Sequence, residues 1–171
     1  MAQRKRIRRT AFLCSHALVN MAYYRAGWHK RTFRRTEDFW RRANGNFLDV
    51  AVLEWCKLFA EPRGAHSWRN VLSDTSAFEE LLLSNLGCTS TEFDAYITEI
   101  RRYRDKFVAH LDDNPQGKYP ELNLALESTM YLFRYIRTHE DDGKDFAGLP
   151  QSLETAYRVA LNHGKAQYER T

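Results

Sequence analysis

The run Phe47-Leu48-Asp49-Val50-Ala51-Val52-Leu53-Glu54-Trp55-Cys56-Lys57-Leu58-Phe59 constrains the fold more than any other stretch of the chain. It is too long for a single strand, carries no Gly or Pro, and leaves almost no polar face. A helix of that kind must be surrounded by other elements. The reading is a second helix over about 33–60 that forms the centre of a helical domain. Elsewhere, alternating strand patterns are nearly absent and helix punctuation is clear. Ile7, Ala11, Cys14, Leu18 and Met21 recur at three- and four-residue steps. They predict a first helix over about 6–26, ended by Gly27.

The remaining helices follow from their start and stop residues. Pro62 and Gly64 close the apolar helix, and 61–75 reads as a loop with one short turn. Ser76 and Glu79 have the spacing of a capping box for a helix over about 76–86, with Gly87 as its stop. Thr89 and Glu92 repeat the box for a helix reaching about 112. After Asn114-Pro115-Gln116-Gly117, Pro120 opens a helix to about 139, because proline is tolerated in a first helical turn. Asp141-Asp142-Gly143 ends it, and Leu149-Pro150 leads into a last helix to about 163. No internal repeat or long Pro/Gly/Ser linker divides the chain. The expectation is a single all-α domain over 1–171, an up-and-down bundle of five to six helices with short links.

The chemistry of the surface is uneven. Residues 1–42 hold twelve Lys and Arg against Glu37 and Asp38, a local charge of +10, while the rest holds fourteen against twenty, or −6. Clustered cations raise phosphate affinity through counterion release, although a solvated helix face has the same composition. The basic start followed by apolar residues faintly imitates a signal peptide. Ser15, His16 and Asn20 interrupt the apolar run, so it reads as part of an amphipathic helix. No stretch has the ~18–20 uninterrupted apolar residues of a membrane span. Cys14, Cys56 and Cys88 are odd in number, far apart and set among apolar neighbours. That suits small buried side chains in a reducing, cytoplasmic compartment. The histidines lack ligand spacing, since His139-Glu140 has no second His four residues after the first, and neither a metal nor a cofactor is expected.

The fourth helix departs from generic patterning. Its apolar stripe runs Phe93, Ile97, Ile100, Phe107 and Leu111, and the position completing that series is Arg104. A guanidinium on a face that should be buried needs an acidic partner or an open interface. Glu54, inside the apolar run, is the expected partner if the arginine is structural. His110 follows six residues after Arg104, which on a straight helix separates the two by about 120° and ~9 Å. One helix could show both on the edge of a groove, with a two-fold copy supplying a second set. The macrodipole would favour the protonated imidazole near that helix end.

The segment Arg101-Arg102-Tyr103-Arg104-Asp105-Lys106-Phe107-Val108-Ala109-His110-Leu111-Asp112 resembles the defining motif of HEPN domains: an arginine, a polar residue and a histidine after a short spacer. The ending Phe107-Val108-Ala109-His110-Leu111-Asp112 is similar to the HEPN branch of abortive-infection proteins of the U family. So is Trp55-Cys56-Lys57-Leu58-Phe59 followed by a loop and Trp68. The resemblance covers most of the chain in helix order and is close only over 101–112. It implies a HEPN-like bundle, a homodimer with a composite active site, and RNA cleavage without metal to 2′,3′-cyclic phosphate and 5′-hydroxyl ends. Arg104, His110 and Asp105 would be the catalytic group, and Arg31, Arg34, Arg35, Arg101 and Lys106 would bind RNA. It further implies a toxin or antiphage effector, with an antitoxin protein as a second partner. The alternative within the same resemblance is a non-catalytic module that binds nucleic acid, a nucleotide or a protein.

Overall fold

The N-terminal helix α1, Ala2–Ala26, buries Ile7, Thr10, Ala11, Cys14, Ala17, Leu18, Met21, Ala22 and Ala26 along its length. So many small side chains let neighbours approach it from several directions. The computed structural model, which describes residues 2–109, 119–140 and 146–170, accordingly packs α1 against three other long helices. These are α2 (Asp38–Trp55), α6 (Asn123–His139) and α7 (Leu153–Glu169). Three further helices are α3 (Trp68–Val71), α4 (Thr75–Leu86) and α5 (Ser90–Tyr103). The described chain is thus mostly helical, with seven helices packed as a bundle rather than the expected five or six. The added member is α3, a single turn within the expected loop. No helix among the described residues is long and apolar enough to cross a membrane.

Two expectations need correction. The apolar helix α2 is not the hub; α1 is, and α2 keeps a partly exposed side at Arg41, Arg42, Asn46 and Asp49. The reason is side-chain size. A stripe of alanines and Cys14 can be enclosed closely on several sides, whereas the bulky side chains of α2 fill one thick layer. Gly164 of α7 illustrates the approach, since a Cβ there would lie 2.7 Å from the Ala26 Cβ.

The second correction concerns 33–37, expected to be the start of the second helix. Trp28–His29 (β1) pairs antiparallel with Thr32–Phe33 (β2), turning through Lys30 at φ 55°. Arg34 N–H then donates to Gly27 O at 2.8 Å. Trp28, Phe33, Trp40 and Tyr168 form a chain of ring contacts, and Trp28 Nε1 donates to Asn44 Oδ1 at 3.1 Å. Gly27 is required for packing more than for turning. A Cβ there would meet the Asn44 Nδ2 at 2.4 Å and the Phe33 ring at 2.8 Å.

Helix ends otherwise follow local chemistry. Thr89 and Glu92 form the reciprocal capping box, and Gly87 ends α4 in the left-handed conformation at φ 63°. For α4 itself the cap is Asp74, which accepts from Ala77 N–H at 2.9 Å, and not Ser76 with Glu79. The last helix extends to Glu169, past the expected end near 163. Breaks expected at 114–117 and 141–143 lie outside the described residues.

The core is aromatic around Trp55. Its ring stacks on Phe59 at 5.2 Å and meets Phe93 and Tyr96 edge-on, while Nε1 donates to Ser128 Oγ at 3.0 Å. Cys14 and Cys56 are buried free thiols, and burial pushes both up, Cys56 to about 12. Neither is poised as a nucleophile, because the thiolate is the reactive form.

Both helices that lead to the Arg104 region end in a π-helical turn: α2 in Cys56–Ala60 and α5 in Arg104–Ala109. Such turns are rare and cluster at functional sites, since each rotates the residues that follow it out of the preceding helical register.

Candidate functional site

Arg104 opens the second π-helical turn, immediately after the buried side chains of Ile100 and Tyr103. The expected stripe is therefore seen through Phe93, Ile97 and Ile100, with Tyr96 and Tyr103 added to it; the side chains of Phe107 and Leu111 lie outside those described. Tyr103 O–H donates to Asp49 Oδ1 at 2.9 Å, fixing α5 against α2 beside the motif. Burial pushes the Asp49 carboxyl up, partly offset by that hydrogen bond.

The Asp49 shift gives a pH prediction. The folded-state pKa lies above the unfolded value, so Asp49's contribution to stability is fully present below the unfolded carboxylate range. It is lost as pH rises through the folded value. Asp49→Asn keeps the acceptor for Tyr103 and removes the ionisation. In urea titrations, the variant's stability relative to the parent should rise between about pH 4 and pH 7. A constant difference over that range would contradict the assignment.

Arg104 is paired, but not with Glu54. Its Nη1 donates to Glu61 Oε1 at 2.9 Å, its Nε to Asp105 Oδ1 at 2.9 Å, and its Nη2 lies 2.9 Å from the same Asp105 oxygen. Glu54 instead holds His16 Nδ1 at 2.5 Å, on the face of α2 that meets α1. The physical reason is the π-helical turn between the two acids. Seven residues on a regular α-helix return to nearly the same face, but Cys56–Ala60 breaks the register, so Glu54 turns to α1 and Glu61 to α5.

The guanidinium is not sealed in. Its side chain keeps 17% of its exposure. Burial disfavours the charged form, but the Asp105 hydrogen bond and the nearby carboxylates outweigh it, raising the pKa above that of an ordinary arginine. Among the described residues its hydrogen bonds to Glu61 and Asp105 engage two of its five N–H donors, those on Nη1 and Nε, while Nη2 makes an ion-pair contact. Two carboxylates thus orient a planar cation that keeps donors for a further anion.

Next to it, Thr98, Arg101, Arg102, Asp105 and Lys106 line an open cleft of about 320 Å³. The structure therefore brings Arg101 and Lys106 together with Asp105 on one surface. Arg102 and Glu61 are functional candidates that sequence reasoning missed. Arg102 was visible as the neighbour of Arg101, whereas Glu61 carried no signal because its position depends on the π-helical turn. His110 lies outside the described residues.

The other candidate cations are placed differently. Arg31 is exposed in the turn between β1 and β2. Arg34 Nη1 donates to Glu169 Oε1 at 2.9 Å. Arg35 pairs with Glu37 at 2.6 Å, donates to Arg170 O at 2.5 Å, and lies over the Trp40 ring. Both Arg34 and Arg35 are less than one-fifth exposed, so they tie the hairpin to the end of α7.

Comparison with protein-family models, with curated proteins and with solved structures gives no match.

Proposed function

We propose that this chain is a HEPN-type endoribonuclease that cleaves RNA without a metal and acts as a homodimer with a composite site. The observation that carries the proposal is Arg104, held by Glu61 and Asp105 and partly exposed, with Asp105 shared by the Arg101/Arg102/Lys106 cleft. Two carboxylates orient it, and the cleft that shares Asp105 is lined by three further cations, which suits a phosphodiester. His110 follows six residues later in the sequence, at the spacing of the HEPN motif.

RNA carries its own nucleophile, so the protein supplies proton transfer and charge stabilisation. His110 takes the 2′-hydroxyl proton as the 2′-oxygen forms its bond to phosphorus. The bond from phosphorus to the 5′-oxygen breaks, and a second imidazole, from the partner protomer, protonates the leaving oxygen. The remaining N–H donors of Arg104 stabilise charge growing on the non-bridging oxygens. Asp105 and Glu61 are positioning residues that act through Arg104. Arg101, Lys106 and Arg102 hold the neighbouring backbone. Such an activity suits a toxin or antiphage effector that is restrained by an antitoxin protein.

The test is incubation of a labelled oligoribonucleotide with the purified chain in excess EDTA. Scission leaving 2′,3′-cyclic phosphate ends is the expected result. RNA that stays intact between about pH 6 and pH 8, the range in which imidazole titrates, overturns the proposal.

A further inference from the structure

A second cluster of titratable side chains lies apart from the Arg104 group. Arg9, Phe12, Leu13 and His16 of α1, Glu54 and Lys57 of the α2 segment, and His66 of the following loop line a cleft of about 610 Å³. Glu54 is 8% exposed, and among the described residues its one hydrogen bond is the 2.5 Å contact from Oε1 to His16 Nδ1, with Oε2 buried and unpartnered. A buried carboxylate that accepts one hydrogen bond from an imidazole fixes the orientation of that ring. Glu54 thus orients His16, whose side chain is 65% exposed and whose Nε2 has no partner among the described residues.

Around this pair, the cations Arg9 and Lys57 outnumber the one carboxylate among the described lining residues. Burial, then Arg9, Lys57 and Arg6, depress the proton affinity of His66, so these cations share one local field. Arg9 and Lys57 are exposed and have no acidic partner within ion-pair distance among the described residues. Among the described residues Glu54 is the one acid in the lining; burial pushes its carboxyl up, and His16 and Lys57 offset that in part. Like charges held together in a concave site repel one another unless an anion joins them. Donors reach the cleft from α1, from the π-helical turn and from the loop, an arrangement that can serve three oxygens of a tetrahedral anion. Phe12 is 44% exposed at the rim and offers an apolar ring beside it.

We propose that this cleft binds a phosphate group through His16, Lys57 and Arg9, with the organic part of the phosphate ester resting on Phe12. His16 is oriented by Glu54, as a ligating imidazole is by a carboxylate behind it. Neutral His66 adds a hydrogen bond and no charge. The site does not depend on the ribonuclease reading, because it uses none of the Arg104 group.

The experiment follows the imidazole NMR signals of His16 and His66 in the full chain during titration with inorganic phosphate. Sodium chloride of matched ionic strength is the control. Saturable shifts of both rings with phosphate alone are expected, and Lys57→Ala, an exposed substitution, should weaken the affinity about tenfold. Adenosine monophosphate, and an oligonucleotide with and without a 5′-phosphate, then identify the source of the group. A free ester, a strand end or a backbone diester each upholds the site if it saturates the same signals. Shifts no larger than those in chloride, or an unchanged affinity in Lys57→Ala, would overturn the proposal whatever the outcome of RNA cleavage.

Discussion

Arg104→Ala is expected to lower RNA cleavage about 10²–10³-fold, the usual cost of removing a donor that meets charge developing in a transition state. His110→Ala should cost about 10²–10⁴-fold, as expected for loss of a general acid or base. The folded state should change little in the Arg104 variant. That side chain is partly hydrated, and its removal leaves Glu61 42% and Asp105 54% exposed or more, so water can take over their hydrogen bonds. A stability loss of about 1 kcal/mol is in keeping with a partly exposed ion pair. Arg104→Lys separates charge from geometry. It keeps the cation but loses the planar fork and the double contact to Asp105, so it should recover only part of the rate. Cleavage undiminished in both alanine variants, read by gel against the parent at equal concentration, would remove the motif from the chemistry.

The second large effect is on stability. Trp55→Ala should cost about 3–5 kcal/mol, the range for truncating a large buried aromatic. Trp55 is fully buried, and its loss would strip ring contacts from Phe59, Phe93 and Tyr96 together. It would also remove the donor to Ser128 Oγ inside the core. Trp55 joins α2 to α5 and α6, so the damage should reach the packing behind Arg104. A urea midpoint shift corresponding to less than about 1 kcal/mol would mean that Trp55 does not sit at the centre of the core.

What the sequence made legible was local. Thr89 with Glu92, and Gly87, act over three or four residues, and those helix ends stand where their chemistry put them. The burial of Ile7, Ala11, Cys14, Leu18 and Met21 follows from simple periodicity. The two-residue strands at 28–33 were illegible because their order comes from distant partners, Asn44 and Tyr168, and not from an alternating pattern. The partner of Arg104 was illegible for a different reason. Glu54 is an acid within the apolar run, and a regular helix would have kept Glu54 and Glu61 on one face. Two π-helical turns that no residue pattern announces decide which acid meets which base. Likewise, Arg34 and Arg35 read as cations for a nucleic acid, yet their partners Glu169 and Arg170 lie at the far end of the chain. Of the candidate cations, Arg101 and Lys106 are the ones the fold gathers beside Asp105.

The cluster around His16 shows the same limit. His16, Glu54 and His66 are separated by long stretches of sequence, and each alone is an ordinary residue. Their meeting requires α1 to run at the centre of the bundle, a consequence of its small side chains.

In the proposed reaction an oriented guanidinium and an imidazole act on a phosphate attacked by the adjacent ribose oxygen. Two oligonucleotides in EDTA, identical except for a 2′-deoxy sugar at the cleaved nucleotide, put that reaction to the test. The ribonucleotide should be cut there to a 2′,3′-cyclic phosphate and a 5′-hydroxyl, while the deoxy twin is not cut at that position. Equal cleavage of both, or ends carrying a 5′-phosphate, would contradict the proposed reaction.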